Sequence, residues 1–83
     1  MDIYKSARKH GVSDEDINHV LDNALVVLED EESKVLYLGP DHAGNLLEVV
    51  SVSRQNGTEI VIHAMPMQDR YRSLLPPSPG APT

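Results

Sequence analysis

The feature that most limits what this chain can become is a change of hydrophobic period near residue 24. Before it, Ile17, Val20, Leu21 and Ala24 fall at i, i+3, i+4 and i+7, one stripe on a helix. After it, apolar and β-branched residues come in four short runs of period two, at 25–29, 34–39, 46–53 and 59–64. Turn-forming segments separate the runs: Asp30-Glu31-Glu32-Ser33, the stretch 39–45 with Pro40 and Gly44, and Gln55-Asn56-Gly57, whose Asn-Gly pair accepts positive φ. Connections this short make an antiparallel meander the economical topology. In such a meander Leu36, Leu38, Val50 and Val52 form one apolar set and Val35, Tyr37, Leu47 and Val49 the other, so one set needs a cover from outside.

Helices are expected on both flanks. The first spans 3–10, with Asp2 as N-cap, Lys9 and His10 in its last turn, and Gly11 as its stop. The second spans 14–23, capped by Ser13, with Asp14, Glu15 and Asp16 in its first turn. A third begins at Pro66, gathers Met67, Tyr71, Leu74 and Leu75 on one face, and ends at Pro76-Pro77. The expected fold class is α+β: two N-terminal helices, a four-stranded antiparallel sheet and a C-terminal helix. Residues 1–75 form one domain, and 76–83, with four Pro and a Gly, read as a disordered or polyproline-like tail. A domain of this size buries only about 60% of its unfolded surface, which a homodimer or a bound partner would improve.

Charge narrows the function. Seven Lys and Arg stand against 13 Asp and Glu, a net charge of −6, so bulk attraction to nucleic acid is excluded. Residues 14–32 hold eight carboxylates and no Lys or Arg. The acidic run is a solvated face and turn, or a dock for a basic segment. The remainder is slightly basic, with Lys5, Arg8 and Lys9 at the front and Arg70 and Arg72 at the back. If the first and last helices pack side by side, these form a local basic face, read either as solvated helix surface or as a phosphate-binding patch. The absence of Cys excludes disulfides, a thiolate nucleophile and a Cys zinc site. No apolar run is long enough to span a membrane and the opening lacks a signal-peptide core, so a cytoplasmic protein is expected.

Few residues carry chemistry. The four histidines, His10, His19, His42 and His63, lack metal-site spacing, and no metal or cofactor is expected. No phosphate loop, nucleophile elbow or calcium loop is present. His63 ends the fourth run beside the helix with Arg70 and Tyr71; it is a candidate general acid or base, or a half-exposed sheet histidine without a role. Glu48 interrupts the apolar set of the third run. The favoured reading is an edge-strand charge that discourages aggregation; the other is membership of a polar site.

The stretch from Arg8-Lys9-His10-Gly11-Val12-Ser13 to Ile17 resembles the opening of the BrnT-like and DUF4258 families, where a basic helix ends in a Lys/Arg-His/Arg-Gly motif before an acidic helix. Tyr37-Leu38-Gly39, the run from Gly44 to Val50, and Glu59-Ile60-Val61-Ile62-His63-Ala64 resemble the strand series of those families in the same order. The chain departs from that pattern at His63-Ala64-Met65, where Ser-Ala-Arg is usual, and in its acidity. The resemblance implies a RelE/ParE-like fold, helices on one face of a small antiparallel sheet. It implies the toxin of a type II toxin–antitoxin pair, a metal-independent ribonuclease whose partners are a cognate antitoxin and RNA. Carried onto this chain, it implies His63, Arg70 and His10 as catalytic residues, with Lys9, Arg8, Tyr71 and Arg72 contacting RNA. From a different class comes a second expectation, a non-catalytic interaction module that self-associates or binds a partner through its sheet.

Overall fold

The fold is that of a computed structural model and is described for residues 1–77; from residue 78 onward the expected tail lies outside the described residues. Its elements are β1 (Asp2–Ile3), the 3₁₀ turn η1 (Lys5–Arg8), α1 (Asp14–Asp22), β2 (Val26–Glu29), β3 (Lys34–Pro40), β4 (Leu46–Ser53), β5 (Glu59–Pro66) and the 3₁₀ helix η2 (Asp69–Leu74). The class is α+β, and the strand order β1-β5-β4-β3-β2 contains the expected meander of β2 to β5.

α1 forms where the apolar stripe and the cap coincide. The Ser13 hydroxyl accepts the Asp16 N–H at 3.1 Å, and the three acids of the first turn sit at the positive end of the helix. Gly11, at φ +76°, ends the preceding turn in the left-handed region, as its position suggests.

Three expectations need correction. The sheet has five strands and is mixed: β1 runs parallel to β5, pairing Asp2 with Ile60 and Ile3 with Val61. The first helix is reduced to η1, because Ile3 and Tyr4 are drawn into pairing with β5 and the six residues left before the Gly11 stop are too few to offset helix nucleation. The last helix is likewise a six-residue 3₁₀ segment. Pro66 closes β5 rather than opening a helix, and the Met67 N–H still bonds the Leu46 carbonyl at 3.0 Å, so the chain stays extended past the start once expected.

Register assigns the faces. Val35 lies opposite Ser51, Tyr37 opposite Val49, and Val49 opposite Ala64. This set meets α1 and η1 in a core of Ala7, Ile17, Val20, Leu47, Val49, Val61 and Ala64. The backbones come close at Gly39, where a Cβ would stand 3.0 Å from the Ala24 Cα and 3.3 Å from the Asn23 carbonyl oxygen, just past the end of α1. The other set, with Leu36, Leu38, Glu48, Val50 and Val52, faces away from α1. Its cover is partial, with Tyr71 of η2 bordering a cleft beside Leu28, Leu36 and Val50.

Candidate acid–base site around His63

The site depends on a β-bulge. Along β5, Val61 lies opposite Ser51, yet His63 lies opposite Val50, so Ile62 is an extra residue in the ladder. The irregularity turns His63 to the face of Glu48 and Val50, and Ala64 into the core.

Glu48 sits on β4, the middle strand of the sheet, and is 2% exposed. The edge-charge reading is therefore corrected: a carboxylate in this position has no edge to protect and must be satisfied from within. Its Oε2 accepts the His63 Nε2–H at 2.9 Å and the Gln68 side-chain amide at 3.0 Å, while Oε1 accepts the Gln68 backbone N–H at 2.9 Å. Donation from Nε2 leaves Nδ1 of a neutral His63 as the nitrogen able to accept a proton. The same carboxylate pins the start of the C-terminal segment over the sheet. No buried side-chain polar atom among the described residues lacks a partner.

His10 reaches the same place from the other end of the chain. Its ring stands edge-to-face with His63 at 5.9 Å between centroids. His10 is exposed and His63 half-buried. An open cleft of about 420 Å³ runs from His10 past Val12 and Leu47 to Asp16 and Asp41.

A second histidine pair lies on α1 and the β3–β4 loop. Asp16 Oδ1 accepts the His42 backbone N–H at 3.1 Å and its Nδ1–H at 2.9 Å, and these bonds, the backbone one first, hold the Asp16 carboxyl below the usual carboxylate range. The His19 ring stacks obliquely on His42 at 4.3 Å and donates through Nδ1 to the Pro40 carbonyl at 2.8 Å. One nitrogen contact ties the β3–β4 loop to α1, and the other ties the end of β3 to it. No cluster of three metal-ligating side chains occurs among the described residues.

The other expected site residues are dispersed. Arg8 forms a two-pronged pair with Asp14, at 2.9 Å from Nε and 2.8 Å from Nη2, which lowers the Asp14 carboxyl and raises the arginine. Arg72 lies 3.5 Å from Asp69. The Arg70 guanidinium stacks on the Tyr71 ring at 4.7 Å, and Tyr71 is half-buried at the cleft with Leu28 and Leu36. Lys9 is exposed just after η1. Lys9 and Arg70 have no carboxylate partner among the described residues. Of the seven expected residues, the histidines are brought together, Lys9 is their chain neighbour, and Arg8 and Arg72 are occupied by acids.

Sequence reasoning weighed Glu48 and set it aside, and gave Gln68 no role. The available signal was the lone carboxylate inside an apolar alternation; what it lacked was the strand order that puts β4 at the centre.

Compared with known proteins, the chain matches no family model, no curated protein and no solved structure. No helix among the described residues is long and apolar enough to cross a membrane.

Proposed function

We propose that the chain is the toxin component of a type II toxin–antitoxin pair, acting as a metal-independent ribonuclease through His63 and His10, with a cognate antitoxin as its protein partner. The observation that carries this reading is the meeting of two imidazoles from opposite ends of the chain, one of them oriented by a buried carboxylate. Such a pair supplies both proton transfers of RNA cleavage. One ring takes the proton of the 2′-OH as it attacks the adjacent phosphorus. The other delivers a proton to the departing 5′-oxygen, leaving a 2′,3′-cyclic phosphate. Lys9, the chain neighbour of His10 and not held in an ion pair, is the cation for the phosphate. The RelE/ParE-like fold and the motif resemblance belong to this reading.

The test is induced expression combined with cleavage of a mixed-sequence RNA in EDTA. Replacing either histidine, as His63→Ala or His10→Ala, is expected to relieve growth arrest and slow cleavage about 10²- to 10⁴-fold. Cleavage at the wild-type rate in both variants, or no cleavage by the wild type, overturns it.

A second reading, the non-catalytic interaction module, is favoured by a separate observation: large apolar side chains on β2, Val27 and Leu28, are about half exposed.

A further inference from the structure

The two edges of the sheet are finished differently. At one, β5 is covered by β1; the Tyr4 N–H bonds the Val61 carbonyl at 2.8 Å, and the Ser6 hydroxyl donates to the Ile62 carbonyl at 2.6 Å. At the other, β2 pairs with β3 alone. The Asp30 N–H bonds the Lys34 carbonyl at 2.9 Å. Alternation along an antiparallel ladder then turns the backbone groups of Val26 and Leu28 toward β3 and those of Val27 and Glu29 outward.

Of the devices that blunt an open edge, β2 has only its short length and the Glu29 charge at its end. It carries no Lys, no Pro and no bulge. Val27 is 55% and Leu28 46% exposed, and the two point to opposite faces. On the Leu28 side the edge opens into a cleft of about 310 Å³, walled by Leu36, Val50 and Tyr71, with Glu29 and Asp30 at its lip.

Charge decides the occupant. Glu29 to Glu32 are four consecutive acids at the end of β2. The Asp30 carboxylate is used within the turn by the Glu32 and Lys34 N–H groups, and Glu32 lies 3.9 Å from the Lys34 ammonium. Glu29 and Glu31 have no cationic partner among the described residues. A second copy of β2 would bring further acids to a chain already at −6, and no Lys or Arg lies between 14 and 32 to meet them.

We infer that the β2 edge accepts an antiparallel β-strand from a partner protein, apolar at alternate positions and carrying Lys or Arg at its N-terminal end opposite Glu29 to Glu32. The inference rests on the interaction reading and is independent of whether the histidine pair cleaves RNA. Backbone bonds to Val27 and Glu29 supply the affinity, the cleft beside Leu28 takes one apolar side chain, and the acids select the sign of the partner's charge.

The test uses two peptides, acetyl-KRVTVSV-amide and acetyl-EDVTVSV-amide, titrated into the ¹⁵N-labelled full chain. The basic peptide is expected to shift the Val27 and Glu29 amides and slow their exchange. At low salt it should bind about tenfold tighter than the acidic one, with the gap closing as salt rises. Val27→Pro removes an outward N–H while leaving the β3 ladder intact, and should abolish binding. Glu29→Lys with Glu31→Lys should reverse the preference between the peptides; this charge reversal decides the matter if the proline variant fails to fold by circular dichroism. The inference is overturned if the basic peptide leaves β2 unperturbed, or if both peptides bind equally. It is also overturned if the peptide-free chain forms a dimer in sedimentation equilibrium with β2 protected. That last result would keep the interaction reading and assign the edge to a second copy.

Discussion

The two faces of the sheet are built on different physics. The face under α1 is dry and apolar: Ile17 and Val20 descend onto Val49, Val61 and Ala64, all fully buried. The opposite face is covered only in part, and what closes it near the middle strand is a carboxylate accepting three hydrogen bonds. Apolar packing is non-directional and holds a shape, whereas the Glu48 contacts are directional and hold a particular ring and a particular segment in place. The first face therefore sets stability, and the second sets the geometry of the candidate chemistry.

The contrast is broken most severely from the core side. Ile17→Ala removes a fully buried side chain beneath the sheet and is expected to cost about 2–5 kcal/mol, read as a lower urea midpoint with unchanged slope. Gly39→Ala drives a methyl to 3.0 Å from the Ala24 Cα, in the backbone just past α1, and should cost about 1–3 kcal/mol, with the amides at the end of α1 losing exchange protection first. On the polar face, Glu48→Ala leaves the Gln68 N–H without its acceptor, at about 1–3 kcal/mol. Its signature is local: the Gln68 amide exchanges faster while Val61 keeps its protection, and the His63 ring resonances broaden. A uniform loss of protection across both faces would show that Glu48 is simply another stability residue.

The smallest effect belongs to the surface pair of Arg8 and Asp14, both about half exposed. Arg8 holds the folded Asp14 carboxyl below its ordinary value of 3.8. Its contribution is therefore complete above that value and disappears as pH falls through the depressed folded one. Asp14→Asn should lower Tm slightly at pH 7, and the two melting curves should converge in acid. A difference that persists at low pH would point to a role other than the ion pair.

How much of this was legible in the sequence follows the range of the interactions. α1 with its Ser13 cap and the strand runs from 34 and 46 are local patterns, and the division into two apolar sets follows from alternation, so all were readable. β1 was not, because two residues have no periodicity and become a strand only through β5, nearly sixty positions later. The 3₁₀ turns were overread as helices, since apolar spacing persists in segments too short to sustain one. Within the candidate site, His10 and His63 were identified by residue type, but their proximity and the part of Glu48 rest on strand order and on a bulge. Neither leaves a local mark.

That bulge makes the pairing of β5 a parameter in its own right. Were the ladder regular with Ile62 kept in it, the pairing that sets Val61 against Ser51 would continue unbroken, placing Ile62 opposite Val50, the imidazole opposite Val49 inside the oily layer and Ala64 out beside Glu48. Losing Ile62 itself would take out only the surplus residue and leave His63 opposite Val50, so what exchanges the inside and outside of the strand is a ladder that closes up around Ile62. The face each of these side chains shows is written in the point where the ladder skips, and in no single letter.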